Sequence, residues 1–288
     1  MDILIYGTIN SIQLSLYALG FAMVYGVSRL PNFAHGALYV LAGFITWSCL
    51  NSLGLHYLPS ILLAMIATAL IGSLLYQFIL IRIRGMEISE IIASYAMGLA
   101  ILEGLRWAGF KGMTYTLPTF ISGSASIFGT SVDFQRLLVV VVGGAVVGIL
   151  WLFTHYTKIG LALRGMAQDE RAAMMLGIDS DIMAVVAMGF GSMLAALAAI
   201  LLLPLGNIVV EAGYNVLILA IAVCIVGGIG SWMGAVFASF IIGFAQILTV
   251  VFLGSHYQMV VAILAIILTL ILKPSGLFGR QKELEERV

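Results

Sequence analysis

Residues 183–203, MAVVAMGFGSMLAALAAILLL, contain neither a charged side chain nor a proline. At about 1.5 Å per residue they make a helix of roughly 30 Å, the thickness of a bilayer's hydrocarbon core. Their apolar side chains run on without the alternation of lipid-facing strands, so the stretch reads as a membrane-spanning helix. Working outwards from it, breaks at charges, prolines and glycine clusters mark comparable runs at residues 3–27, 33–53, 58–81, 88–107, 135–154, 216–231, 233–253 and 257–272. The expected fold is an all-α, polytopic transmembrane bundle of about nine spans, bounded by eight and ten, forming one domain over residues 1–288.

Composition agrees. Of 288 residues 62% are hydrophobic and 9% charged, and a mean hydropathy of +1.15 leaves too little polar surface to cover a soluble globule. Thirteen basic and 13 acidic side chains balance, and no block of either sign suggests nucleic acid as a partner. Cys49 and Cys224 lie in apolar runs without metal-ligand spacing and read as small core residues. The chain opens with Asp2 and has no basic segment ahead of its first apolar run, so that run is expected to stay as a span.

Orientation follows from charge. If the loop around residues 155–182 is cytoplasmic, its Lys158, Arg164 and Arg171 share a side with Arg29, Arg82, Arg84, Lys273, Arg280, Lys282 and Arg287. Only Arg106, Lys111 and Arg136 then lie outside, as the positive-inside rule prefers. The N-terminus is expected outside, and the tail, residues 273–288, inside. Glu103 and Arg106 are spaced for an ordinary i,i+3 pair.

Two places interrupt the spans. Ser28 to Gly36, SRLPNFAHG, is very short for a loop; it is either a tight turn or a break within the membrane, covered by protein or a water-filled cavity. The second is Gly227 to Trp232, GGIGSW. Each precedes a helix rich in small residues and then a span ending in a basic, glycine-containing segment, which suggests a parallel three-helix repeat offset by roughly 200 residues. Gly36 and Gly43, Gly143, Gly144 and Gly148, and Gly189 and Gly191 are spaced to let helix backbones approach. The candidate substrate pathway comprises Asn32, His35 and Gly36 at the first break, Gly228, Gly230 and Ser231 at the second, and Gln246. Amide, imidazole and backbone groups at helix breaks can satisfy the ammonium and carboxylate of an amino acid in a passage of low charge.

Tyr156 to Asp181, YTKIGLALRGMAQDERAAMMLGIDSD, differs from the rest of the chain. It mixes charges with Leu161, Met166, Met174 and Leu176, and Ala172 to Leu176 favours helix with Gly177 as its stop. It reads as an amphipathic cytoplasmic segment suited to a groove on a partner, the alternative being a solvated surface loop.

GLALRGMAQD at 160–169, followed by Ala172, Ala173, Leu176, Gly177 and Ile178, resembles the coupling loop of the branched-chain amino-acid (Liv-type) ABC permease family. MVYG at 23–26 leading to NFAHG at 32–36, VGGIGS at 226–231 with Gly234 and Ala235, and KPSGLFGR at 273–280 are similar to further family stretches in the same order. The resemblance implies a permease subunit in a bacterial or archaeal cytoplasmic membrane, paired with a second, similar permease as a heterodimer. It also implies two ATP-binding subunits carrying ATP and Mg, an extracytoplasmic binding protein, and no cofactor in this chain. By the same carry-over Gly160, Arg164, Asp169, Ala172, Leu176 and Gly177 are candidates for the ATPase contact, although Arg164 and Asp169 serve equally as internal braces of the loop. Where the family motif commonly continues with an acid after Gly36, this chain has Ala37, which loosens any transfer of substrate identity.

The chain has no G-x-x-x-x-G-K-[ST] phosphate cradle, so ATP hydrolysis is expected on other subunits. Branched-chain amino acids are the expected cargo, with urea, amides or another small polar solute behind them. An ion-coupled secondary transporter would place acids at span centres, whereas the acids here sit mostly at predicted ends and loops. No nucleophile–base pair or metal-ligand cluster supports an intramembrane enzyme.

Overall fold

The computed structural model describes residues 1–29, 31–107, 115–127 and 129–279. Among these, nine helices have 15 residues or more: α1 (Asp2–Ser28), α2 (His35–Asn51), α3 (Tyr57–Phe78), α4 (Glu87–Leu105), α5 (Phe134–Tyr156), α8 (Ser180–Leu202), α9 (Val210–Gly227), α10 (Trp232–Phe252) and α11 (Gln258–Leu272). Two shorter helices, α6 (Lys158–Gln168) and α7 (Glu170–Met175), fill the segment between α5 and α8. Eight of the long helices have the length and apolarity to cross a membrane, three of them together with a flanking 3-10 turn: α3 as Tyr57–Ile83, α8 as Ser180–Leu205 and α11 as Ser255–Leu272. The ninth, α2, has 17 residues, about 25 Å of helix, and is short because it begins within the bundle.

The bundle is built around α1, which is hydrophobic on all sides and packs against α10, α8, α9 and α5. Leu14, Ala18, Leu19 and Ala22 are almost completely buried there. Small residues set the closest approaches. A methyl group on Gly20 would lie 2.5 Å from the Gly191 carbonyl oxygen of α8, and one on Gly213 of α9 2.9 Å from that of Gly36. Gly143 meets Ile12 of α1, whereas Gly144 and Gly148, expected beside it at a helix contact, face open space. At the periphery, Leu58, Leu62, Ile66, Leu70 and Leu74 form an exposed i,i+4 stripe on α3, and α11 buries only Ala262. Such faces suit hydrocarbon and not water.

The basic residues segregate as charge placement predicts. Arg106 and Arg136 lie at the end of the bundle that carries Asp2 and an antiparallel hairpin, β1 (Ser124–Ile127) with β2 (Thr130–Asp133). Arg29, Arg84, Arg164 and Arg171 lie at the other. Lys111, Arg280, Lys282 and Arg287 fall outside the described residues. The hairpin was not expected. It is fastened to α1 by hydrogen bonds from Thr130 Oγ1 to Asp2 and, at 2.9 Å, from the Tyr6 hydroxyl to the Ser131 carbonyl.

Candidate translocation and coupling site

Of the two arrangements open for the first interruption, the structure has a break inside the bundle. Arg29 ends α1 in the left-handed region (φ 57°), its N–H bonded to the Tyr25 carbonyl at 2.8 Å. His35, which opens α2, donates from Nε2 to the Tyr17 carbonyl at 3.0 Å and packs edge-on against Phe21. The helix thus restarts beside the middle of α1, where Tyr17 stands roughly 18 Å of helix above Arg29. Protein covers the exposed backbone: Asn32 Oδ1 accepts the Ala34 N–H at 3.0 Å, the Asn32 carbonyl accepts that of His35, and Ser94 of α4 accepts that of Phe33 at 3.3 Å. Asn32 Nδ2 reaches Met188 Sδ at 3.2 Å. Asn32 and His35 are both buried, and His35 Nδ1 has no partner among the described residues. Gly36 and Ala37 line a water-sized cleft of about 10 Å³ between α2, α4 and α9, together with Tyr95 and Tyr214.

The second break is built differently, so the two ends of the repeat suggested by the sequence do not share a conformation. Gly228 and Gly230 take positive φ (103° and 81°), and the Ser231 hydroxyl caps α10 by accepting the Gly234 N–H at 3.0 Å. Gly227 and Gly234 face each other so closely that a methyl on Gly227 would lie 2.5 Å from the Gly234 carbonyl carbon. Residues 273–279 fold back over this turn: the N–H groups of Leu277 and Phe278 bond the carbonyls of Val226 and Gly227 at 2.9 and 3.0 Å. Two stretches that were separate motifs in the sequence are therefore one structural unit. Gln246 lies elsewhere, buried between α1 and α11; it accepts from Asn10 Nδ2 at 2.9 Å and donates to the Gln258 carbonyl at 3.1 Å.

The candidate coupling segment is two short helices set against the end of the bundle. Thr157 caps α6, accepting the Gly160 N–H at 3.0 Å, and Gly160 is buried against the end of α5. Leu163 and Met166 fasten α6 inwards. Asp169 caps α7 by accepting the Ala172 N–H at 3.0 Å, and Gly177 (φ 83°) stops it. Arg84, between α3 and α4, braces the arrangement with ion pairs to Glu170 at 2.8 Å and to Asp181. Sequence reasoning missed this arginine; its position in a basic inside segment was visible, its partners far along the chain were not. Beyond the brace, Met175 and Leu176 are 88% and 83% exposed. Arg164 is exposed and faces a cavity of about 840 Å³ that also reaches Gly230 and Ser231. At the opposite end Arg106 joins Glu103 and Glu211, each at 3.1 Å, and so ties α4 to α9.

Long lipid-facing helices, a protein-covered break within the bundle and one braced amphipathic segment together define a multi-pass transport permease. Residues 3–272 match the family model described as branched-chain amino acid transport system, permease component. The chain belongs to this family, the Liv-type ABC permeases. It is 30% identical over 280 residues to the high-affinity branched-chain amino acid transport system permease protein BraD of Pseudomonas aeruginosa, covering 92% of this chain and 91% of that one. It is 26% identical to LivH of Escherichia coli over 281 residues, with the same coverage, and 28% identical to the probable LivH of Methanocaldococcus jannaschii over 286 residues, covering 94% and 90%. In fold it aligns with a chain of PsaBC from Streptococcus pneumoniae in complex with Fab, at a TM-score of 0.52 and 14% identity over 100% of this chain and 96% of that one.

Proposed function

We propose that this permease forms the translocation path of an ATP-driven importer for branched-chain amino acids in a bacterial or archaeal cytoplasmic membrane. It pairs with a second homologous permease, docks two ATP-binding subunits that carry the ATP and Mg, and receives cargo from an extracytoplasmic binding protein. The observation that carries this reading is the coupling segment: a capped and braced helix that leaves Met175 and Leu176 almost fully exposed beside Gly177. Apolar side chains held rigidly in that state suit a groove on another subunit. The names of the relatives support the cargo, and the missing phosphate cradle supports hydrolysis on a partner. Substrate passes beside the first break, where Gly36 and Ala37 line the cleft, while Asn32 and His35 hold the break from behind.

The test is uptake of labelled leucine into vesicles containing the permease co-purified with its ATPases. Uptake is expected to need ATP and to persist when ion gradients are collapsed. Uptake that follows the gradient refutes the importer; competition by urea or amides but not by isoleucine and valine refutes only the cargo.

A further inference from the structure

The cavity of about 840 Å³ at the coupling end shares no lining residue with the Gly36 cleft. Its floor is the last two turns of α1, at Ala22 and Gly26, and its walls carry Trp151 of α5 and Trp232 of α10. Leu152 and Phe237, one on each wall helix, are 52% and 53% exposed, so the walls continue onto the apolar outer surface of the bundle. The coupling helices α6 and α7 also line it and bring Arg164 and Arg171 to join Arg29. Two carboxylates also line it, and both are engaged: Asp169 caps α7 and Glu170 pairs with Arg84. Arg164 and Arg171 have no ion pair among the described residues.

We infer that this cleft holds the anionic phosphate headgroup of a membrane phospholipid, with the start of its acyl chain lying on α1 between α5 and α10. Three observations converge on a lipid. Ala22, Met23 and Val27 make its lining apolar along α1; Arg29, Arg164 and Arg171 make it basic, as suits acidic headgroups in pockets between membrane helices; and Trp151, near the end of α5, and Trp232, at the start of α10, flank it at helix ends, where tryptophans favour the membrane interface. The inference concerns a face of the protein away from the Gly36 cleft and stands whether or not the cargo is an amino acid.

The experiment places the full chain in nanodiscs of phosphatidylcholine with a minority of phosphatidylglycerol and measures, by native mass spectrometry, the lipid that remains bound after release into detergent. Phosphatidylglycerol is expected to be enriched roughly tenfold over the bulk, and R164Q/R171Q to bring retention down to the bulk ratio. Arg136→Gln, at the opposite end, keeps the enrichment, and so does R164K/R171K. No enrichment, or enrichment unchanged in R164Q/R171Q, overturns the site; displacement by millimolar inorganic phosphate overturns the lipid and assigns the cavity to a soluble anion. Should R164Q/R171Q misfold, a chain with Trp47, Trp107 and Trp151 replaced by Phe reports through Trp232. Brominated phosphatidylglycerol must quench it more strongly than brominated phosphatidylcholine, and equal quenching overturns the proposal.

Discussion

Replacing Gly20 by alanine tests how much of the bundle depends on one helix crossing. The added methyl group would lie 2.5 Å from the Gly191 carbonyl oxygen and 2.9 Å from His35 Cε1, where ordinary contact begins at about 3.4 Å. Since the nearer atom is backbone, no rotamer change relieves it; α8 must withdraw from α1 by nearly 1 Å, and the His35 ring, bonded to Tyr17, must shift as well. Overpacking of this kind costs about 1–3 kcal/mol, offset by up to about 1 kcal/mol from the better helix propensity of alanine. The net loss of about 1–2 kcal/mol corresponds to a fall in melting temperature of roughly 2–8 °C for a chain of this size. Cys49 and Cys224 supply the readout, because both thiols are free and buried and become available to a thiol-reactive dye only on unfolding. Gly144→Ala, with nothing within 4 Å of the new methyl, is the control and is expected to melt at or slightly above the parent. Equal melting of the two variants would refute the crossing as a determinant of the fold.

Asp169→Asn keeps the cap on α7 and should leave both stability and ATPase assembly intact, whereas Asp169→Ala loses the cap, about 1 kcal/mol of local helix stability; loss of assembly in Asp169→Asn, measured by co-purification, would assign the carboxylate to the partner instead. M175E/L176E should abolish co-purification of the ATPase with unchanged melting, and normal assembly in that variant would remove the docking surface from the coupling segment. Gln246→Leu breaks the buried chain from Asn10 to Gln258 and should lower stability by about 0.6–1.7 kcal/mol without altering the dependence of uptake on substrate concentration; a changed dependence would put the amide in the pathway.

Much of this architecture was legible because bilayer thickness writes itself into run length and charge placement. The run at 183–203 coincides with α8 except for Leu203, which opens the 3-10 turn after it, and the nine long helices fall close to the runs marked by charges and glycines. What escaped depends on contacts between distant residues. The run at 33–53 gave no sign that α2 starts beside Tyr17, because the level at which a chain re-enters a bundle is set by packing and leaves no period in the sequence. The hairpin at 124–133 is too short, and its residues too mixed, to stand out among turn-forming neighbours. Within the site, Gly177 and the helical character of Ala172 to Met175 followed from local propensity. Asn32 and Gln246 were recognisable as polar groups in apolar surroundings, but hydrogen-bond partners on other helices, not the residues themselves, decide whether they face a passage or a neighbour. The Arg84 brace joins residues too far apart in the chain for any spacing rule to pair them.

The strap formed by residues 273–279 gives the second break a place in time as well as in space. The Val226 and Gly227 carbonyls receive their partners from Leu277 and Phe278, which emerge from the ribosome about fifty residues later, after α10 and α11 have been made. Until then the end of α9 holds open acceptors, a state tolerated beside water and costly in hydrocarbon. The turn that reaches the coupling cavity is therefore among the last parts of the protein to be finished, and a nascent chain halted before Leu277 carries every long helix but lacks the latch that closes it.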